Sequence, residues 1–127
     1  MDFRLQSHLA ELLKSLDMDD GFDLISVGGS TKALTTPNNP SNREFLLDQI
    51  GISVDLHQVE CIMIFHHQDC GAYGGSDAFD SPDKEREHHI SDMKKAKEAI
   101  LEKYSDVRVE LYYIKMDGSR WSFEKTV

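Results

Sequence analysis

The sequence predicts a single α/β domain built on a mostly parallel sheet. Three observations predict it. Helix-period and strand-period segments alternate along the chain in the order helix, strand, helix, strand, helix, strand. The most apolar run, Val59–Phe65, reads as a central strand covered on both faces. The length of 127 residues suits one domain and is too short for two. Right-handed crossovers would then place binding sites beyond the carboxyl ends of the strands.

Each element has its own signal. From Arg4 to Leu16, Leu5, Leu9, Leu12, Leu13 and Leu16 recur at spacings of three and four, which is one helix face. The acidic stretch Asp17–Gly21 ends it. Phe22–Val27 is a short apolar run stopped by Gly28-Gly29, and it predicts a buried strand and a close backbone turn. Thr35–Asn42 is loop, with Pro37, Pro40 and three asparagines. Ser41 and Glu44 have capping-box spacing and predict a helix from Asn42 to about His57. His66–Gly75 is a polar, Gly-rich turn at the end of the central strand. Ser81-Pro82 is an N-cap followed by proline at the first helical position, and Ile90, Met93, Ile100, Leu101 and Tyr104 mark one face of the long helix that follows. Val107–Ile114 alternates as a strand, Asp117-Gly118 signals a turn, and Trp121–Val127 reads as a short edge strand.

Composition narrows the function. Fourteen basic against 23 acidic residues give a net charge of −9, and the basic residues are scattered, so neither nucleic acid nor an anionic membrane surface is an expected partner. No apolar run reaches the roughly 20 residues of a membrane span, and no signal-peptide-like run follows Met1. Two cysteines, Cys61 and Cys70, make no disulfide framework, and a reducing, cytoplasmic location is expected.

The sharpest local feature is His67-Gln68-Asp69-Cys70-Gly71. A histidine and a cysteine three apart at a strand end can turn toward one point, and imidazole and thiolate are common zinc ligands. Two ligands do not complete a zinc site, and the same spacing also describes a buried cysteine beside a capping histidine. Cys61, mid-strand, reads as core, His66 should face away from His67, and His88-His89 near a charged helix start reads as exposed. Gly28-Gly29-Ser30-Thr31 offers backbone amides to an anion, as a weak signal.

His67-Gln68-Asp69-Cys70-Gly71-Ala72, following an apolar strand, resembles the His-x-x-Cys-Gly-Ala element of β-class carbonic anhydrases, and is most similar to small, divergent members of that family. Phe22–Gly29 resembles the family's second strand and its glycine-containing loop, and the helix around Phe45–Ile52 resembles the one that precedes the motif strand. Met1-Asp2-Phe3-Arg4 resembles the last four positions of the family's other motif, Cys-x-Asp-x-Arg, whose cysteine would fall one position ahead of Met1.

The resemblance implies a three-layer, β-carbonic-anhydrase-like fold, N-terminally shortened, and a zinc lyase that hydrates carbon dioxide to bicarbonate in its complete form. It implies that His67 and Cys70 are metal ligands, that Asp2 orients the nucleophile and that Arg4 holds Asp2. With the third ligand absent from the sequence, zinc is expected to be partial or absent and activity impaired. Carbon dioxide, bicarbonate or another small anion is the implied ligand. A homodimer or larger homo-oligomer is the implied assembly, associating near the Met1 end. The alternative is a non-catalytic binding or assembly module on the same fold.

Overall fold

The computed structural model describes residues 1–18 and 21–127. Asp19 and Asp20, within the acidic stretch expected to end the first helix, lie outside the described residues. Four helices and three strands follow in the order α1 (Gln6–Ser15), α2 (Lys32–Thr35), α3 (Pro40–Gly51), β1 (Cys61–His67), α4 (Pro82–Lys103), β2 (Arg108–Asp117) and β3 (Arg120–Thr126). A π-helical turn, Ile52–Leu56, extends α3. No described helix is long and apolar enough to cross a membrane.

The sheet is small and mixed, in the order β1-β2-β3. β1 pairs parallel to β2, from Cys61 opposite Arg108 to His67 opposite Ile114. β2 pairs antiparallel to β3 from Leu111–Thr126 to Asp117–Arg120, and Gly118 turns the hairpin at a φ of 61°. The long crossover between β1 and β2 carries α4, whose buried face packs on the sheet. Leu34, Leu46, Ile50, Ile64, Met93, Ala96, Ile100, Val109, Leu111 and Tyr113 form the core between them.

Three expectations are corrected. Phe22–Val27 forms no strand, and most of it is exposed, Leu24 and Ile25 included. It lies beside no strand edge, because a cavity of about 790 Å³ opens between it, α1 and β1. An apolar run held out of reach of the β1 edge has nowhere to place its ladder hydrogen bonds. The strand expected at Val59–Phe65 runs two residues later and stands at the edge of the described sheet, leaving β2 in the centre. Gln58, at a φ of 57°, and a Val59 N–H bond to the Ser53 carbonyl (3.2 Å) close the preceding turn, so pairing begins only at Cys61. The sheet is mixed rather than mostly parallel because β3 returns by a hairpin.

Helix starts follow their caps. Ser81 accepts from the Lys84 amide and Pro82 opens α4, as expected. At α3, Asn39 accepts from the Ser41 amide and Pro40 takes the first position, displacing the expected start at Asn42.

Candidate functional site

The carboxyl end of β1 delivers His66 and His67 to opposite faces of the sheet, since successive strand residues alternate. The Gln68 amide still bonds the Ile114 carbonyl (2.8 Å), and the Gln68 side chain caps the Met116 amide (3.1 Å). The chain then turns at Asp69, whose φ of 57° is left-handed, and Cys70 leads into a helical turn at Gly71–Tyr73. Gly29, at a φ of 75°, lets the preceding loop approach: a Cβ there would stand 3.1 Å from that of Ala72. Lys32 reaches across to the Ala72 carbonyl and ties the two loops together.

His67 is held in one tautomer. Its Nδ1 lies 2.8 Å from the Gln68 carbonyl, which can only accept, so Nδ1 carries the hydrogen and Nε2 faces the site. Nε2 lies 3.6 Å from the Asp2 carboxylate. Burial lowers the pKa of His67, but its contacts with Cys70 and the Gln68 carbonyl outweigh that and raise it. Burial raises Cys70, and the opposing hydrogen bond and charge of His67 bring the thiol below its ordinary value. The thiol is thus biased toward the thiolate, the form that binds metal.

Asp2 and Arg4 arrive from the other end of the sequence. The guanidinium grips Asp2 with two nitrogens, Nε to Oδ1 at 3.0 Å and Nη2 to Oδ2 at 2.8 Å. It also donates to the Asp69 carboxylate at 2.7 Å and to the Asp69 carbonyl at 2.8 Å. The Arg4 hydrogen bonds, working against burial, hold Asp2 down at about 2. Arg4, paired with both carboxylates, is raised further above its already high value. Asp2, Arg4, His67 and Cys70 therefore converge on one place. Asp69 joins them without having been expected; its left-handed backbone and its two roles toward Arg4 are visible only once the loop is folded. Replacing Arg4 with alanine should let the Asp2 carboxyl rise from about 2 toward its usual 3.8. Carboxyl NMR titration would show it, and an Asp2 still near 2 would mean that Arg4 does not govern it.

Behind the sheet, His66 and His89 meet Nδ1 to Nδ1 at 3.1 Å, and His66 Nε2 bonds the Thr31 hydroxyl at 2.9 Å. His89, expected to be exposed, is fully buried. Tyr73 donates to Asp92 at 2.5 Å, as does Thr35 at 3.0 Å. The expected solvent exposure of His88 alone is met.

Among the described residues no group of three or more histidine, cysteine, aspartate or glutamate side chains is arranged to hold a metal ion. His67 and Cys70 fit zinc in kind, and Asp2 brings a carboxylate within 3.6 Å of His67, but the three are not arranged as a metal-holding group.

Residues 1–126 match the family described as "Putative carbonic anhydrase". The chain belongs to this carbonic-anhydrase-like family. It is 31% identical, over 121 residues, to an uncharacterized protein of Rickettsia bellii (strain RML369-C), covering 93% of this chain and 74% of that one. It is also 31% identical over 121 residues to an uncharacterized protein of Rickettsia conorii (strain ATCC VR-613 / Malish 7), covering 93% of this chain and 65% of the relative. The chain thus spans about two thirds to three quarters of the length of these relatives. No solved structure matches it.

Proposed function

We propose that this carbonic-anhydrase-like chain carries most of a β-class site for zinc-dependent hydration of carbon dioxide to bicarbonate. The observation that carries the reading is the convergence of Asp2 and Arg4 with His67 and Cys70, groups that lie far apart in sequence and match two separate family motifs. His67 Nε2 and the Cys70 sulfur would hold the metal. Bound zinc would lower the pKa of a water toward about 7. Asp2, kept ionised by Arg4, accepts a hydrogen bond at the position of the attacking oxygen and so fixes its lone pair. Arg4 cannot swing away without breaking its bonds to Asp69 as well.

The family's Cys-x-Asp-x-Arg motif, laid on Met1–Arg4, puts the cysteine that would be the third donor one position ahead of Met1. A larger, three-layer sheet is supported by the edge of β1, unpaired among the described residues, and by the cavity beside it, which reaches both His67 and Cys70. Carbon dioxide, bicarbonate or a related small anion is the proposed ligand, the cytoplasm the proposed location, and a homodimer or larger assembly the proposed state. Exposed Phe45, Ile52 and Leu56 on α3 and its π-helical extension support association.

The shortage of donors favours a second reading, a non-catalytic module that keeps the fold. Zinc analysis and a stopped-flow carbon dioxide hydration assay separate the two. The 127-residue chain should hold zinc substoichiometrically or not at all. A form extended upstream by a strand ending in cysteine should hold one zinc per chain and hydrate carbon dioxide. Cys70→Ser in that form should abolish both, because a hydroxyl is a poor substitute for thiolate. An extended form with neither zinc nor activity would leave the module reading standing.

A further inference from the structure

We propose that Glu85 is the positioning residue of the loop that carries Asp69 and Cys70. It is 1% exposed, in the first turns of α4. Both carboxylate oxygens are spent on the loop: Oε1 accepts from the Asp69 amide at 2.6 Å and Oε2 from the Ser76 hydroxyl at 2.8 Å. Among the described residues no cation pairs with it. A carboxylate taken out of water without a counter-charge is costly, and only strong acceptor work offsets that cost.

The need for that work lies in the turn. Gln68 makes the last sheet-ladder bond, and Asp69 then leaves the sheet in a left-handed conformation that a residue other than glycine adopts reluctantly. Its amide would otherwise point, unpaired, into the protein interior. Glu85 takes that amide, and takes Ser76 at the loop's far end. Asp69 Oδ1 accepts the Ser76 amide at 3.0 Å, and the Cys70 carbonyl accepts the amides of Tyr73 and Gly75 at 2.9 and 3.0 Å. The loop is thereby closed as a ring on a buried carboxylate. Asp69 in turn grips Arg4, and Arg4 grips Asp2. Glu85 thus sets where Cys70 stands relative to His67 and, through Asp69 and Arg4, where Asp2 stands. The inference rests on the metal-site reading only for its effect on metal affinity.

The test compares Glu85→Ala with Glu85→Gln in the full chain. Glutamine keeps an oxygen for the Asp69 amide, and the Ser76 hydroxyl can turn to accept from its amide nitrogen. Hydrogen exchange by NMR reads the Asp69 amide, with the Leu111 amide in β2 as a reference for global folding. Cobalt(II) titration, followed by the thiolate-to-cobalt charge-transfer band, reads Cys70 in the coordination sphere. In Glu85→Ala, Asp69 should exchange at least about tenfold faster with Leu111 unchanged, and cobalt affinity should fall by roughly 10- to 100-fold. Glu85→Gln should restore both. Should Glu85→Ala not fold, Ser76→Ala removes one of the two loop bonds and should weaken cobalt by about tenfold. Unchanged cobalt affinity in the alanine variants, glutamine behaving like alanine, or an Asp69 amide unprotected in the native chain would overturn the proposal. A native chain that takes up too little cobalt to titrate is what the metal-site reading expects of it; the cobalt comparison is then made in the form extended upstream by a strand ending in cysteine, and the Asp69 amide decides the role of Glu85 in either form.

Discussion

Moving from pH 7 to pH 5 should cost the folded chain about 4 kcal/mol through two buried histidines. The source is the buried pair His66 and His89. Burial, then the neighbouring histidines, push His66 down to about 3 and His89 down to about 4. In the unfolded chain both take a proton near 6.5. As the pH falls below that value the unfolded state gains protons that the folded state refuses, so stability drops until the folded values are reached. At pH 5 each imidazole accounts for roughly 2 kcal/mol. Facing the pair are His88, Thr31, Tyr73, Tyr113 and Asp92, with the charge of His67 felt from the other face of the sheet; Asp92 pulls His89 back up, but less than burial and His88 depress it. His67, with a raised pKa, works in the opposite direction. Asp2 contributes stability that is lost only as the pH falls from its unfolded 3.8 through about 2, so the two windows separate. Urea denaturation at the two pH values measures the effect. His89→Gln, which can still bond His66, should remove about half of it. Equal stability at pH 7 and pH 5 would show that the pair is not held neutral.

Ile100→Ala should destabilise the chain by about 2–5 kcal/mol, and Ile100→Val by about 0.5–1.5 kcal/mol. Ile100 is fully buried in the core cluster on the inner face of α4. The alanine leaves a void that close-packed neighbours fill only in part. The same helix presents Glu85, His89 and Asp92 one turn apart above that apolar half, so loosening it should reach the site as well. Chemical denaturation gives the number; a loss below 1 kcal/mol would mean that α4 is not seated as described.

Much of the site was legible because its parts carry strong local chemistry. His67 and Cys70 at a strand end stand out by type and spacing, whereas Asp2 and Arg4 are legible only through the resemblance of Met1–Arg4 to the family's Cys-x-Asp-x-Arg motif. Asp69 and Glu85 are legible in neither way, since their roles depend on a left-handed turn and a partner on another element. His89 could have been found. His89, Met93, Ala96 and Ile100 follow one another at spacings of four, three and four, the inner face of α4. Charge on neighbouring residues hid that periodicity. α4 and the β2–β3 hairpin followed their cap and turn residues, Ser81-Pro82 and Asp117-Gly118. Phe22–Val27 did not become a strand, because a strand needs a partner within hydrogen-bonding reach and the edge of β1 stands across the cavity from it.

The two pairings of β2 differ greatly in the amount of chain that must be ordered to make them. β3 folds back across a tight turn at Gly118, whereas β1 reaches β2 only after the loop at Cys70 and all of α4 have been spanned. Closure entropy grows with that span, and non-local parallel pairing is intrinsically slow. The hairpin and α4 can assemble from local contacts while β1 is still searching for its register. His67 and Cys70 lie at the end of β1 and just beyond it, and Arg4 reaches Asp69 across 65 residues, so the site comes into being with long-range closures, and a chain can be largely structured before it has any chemistry to offer.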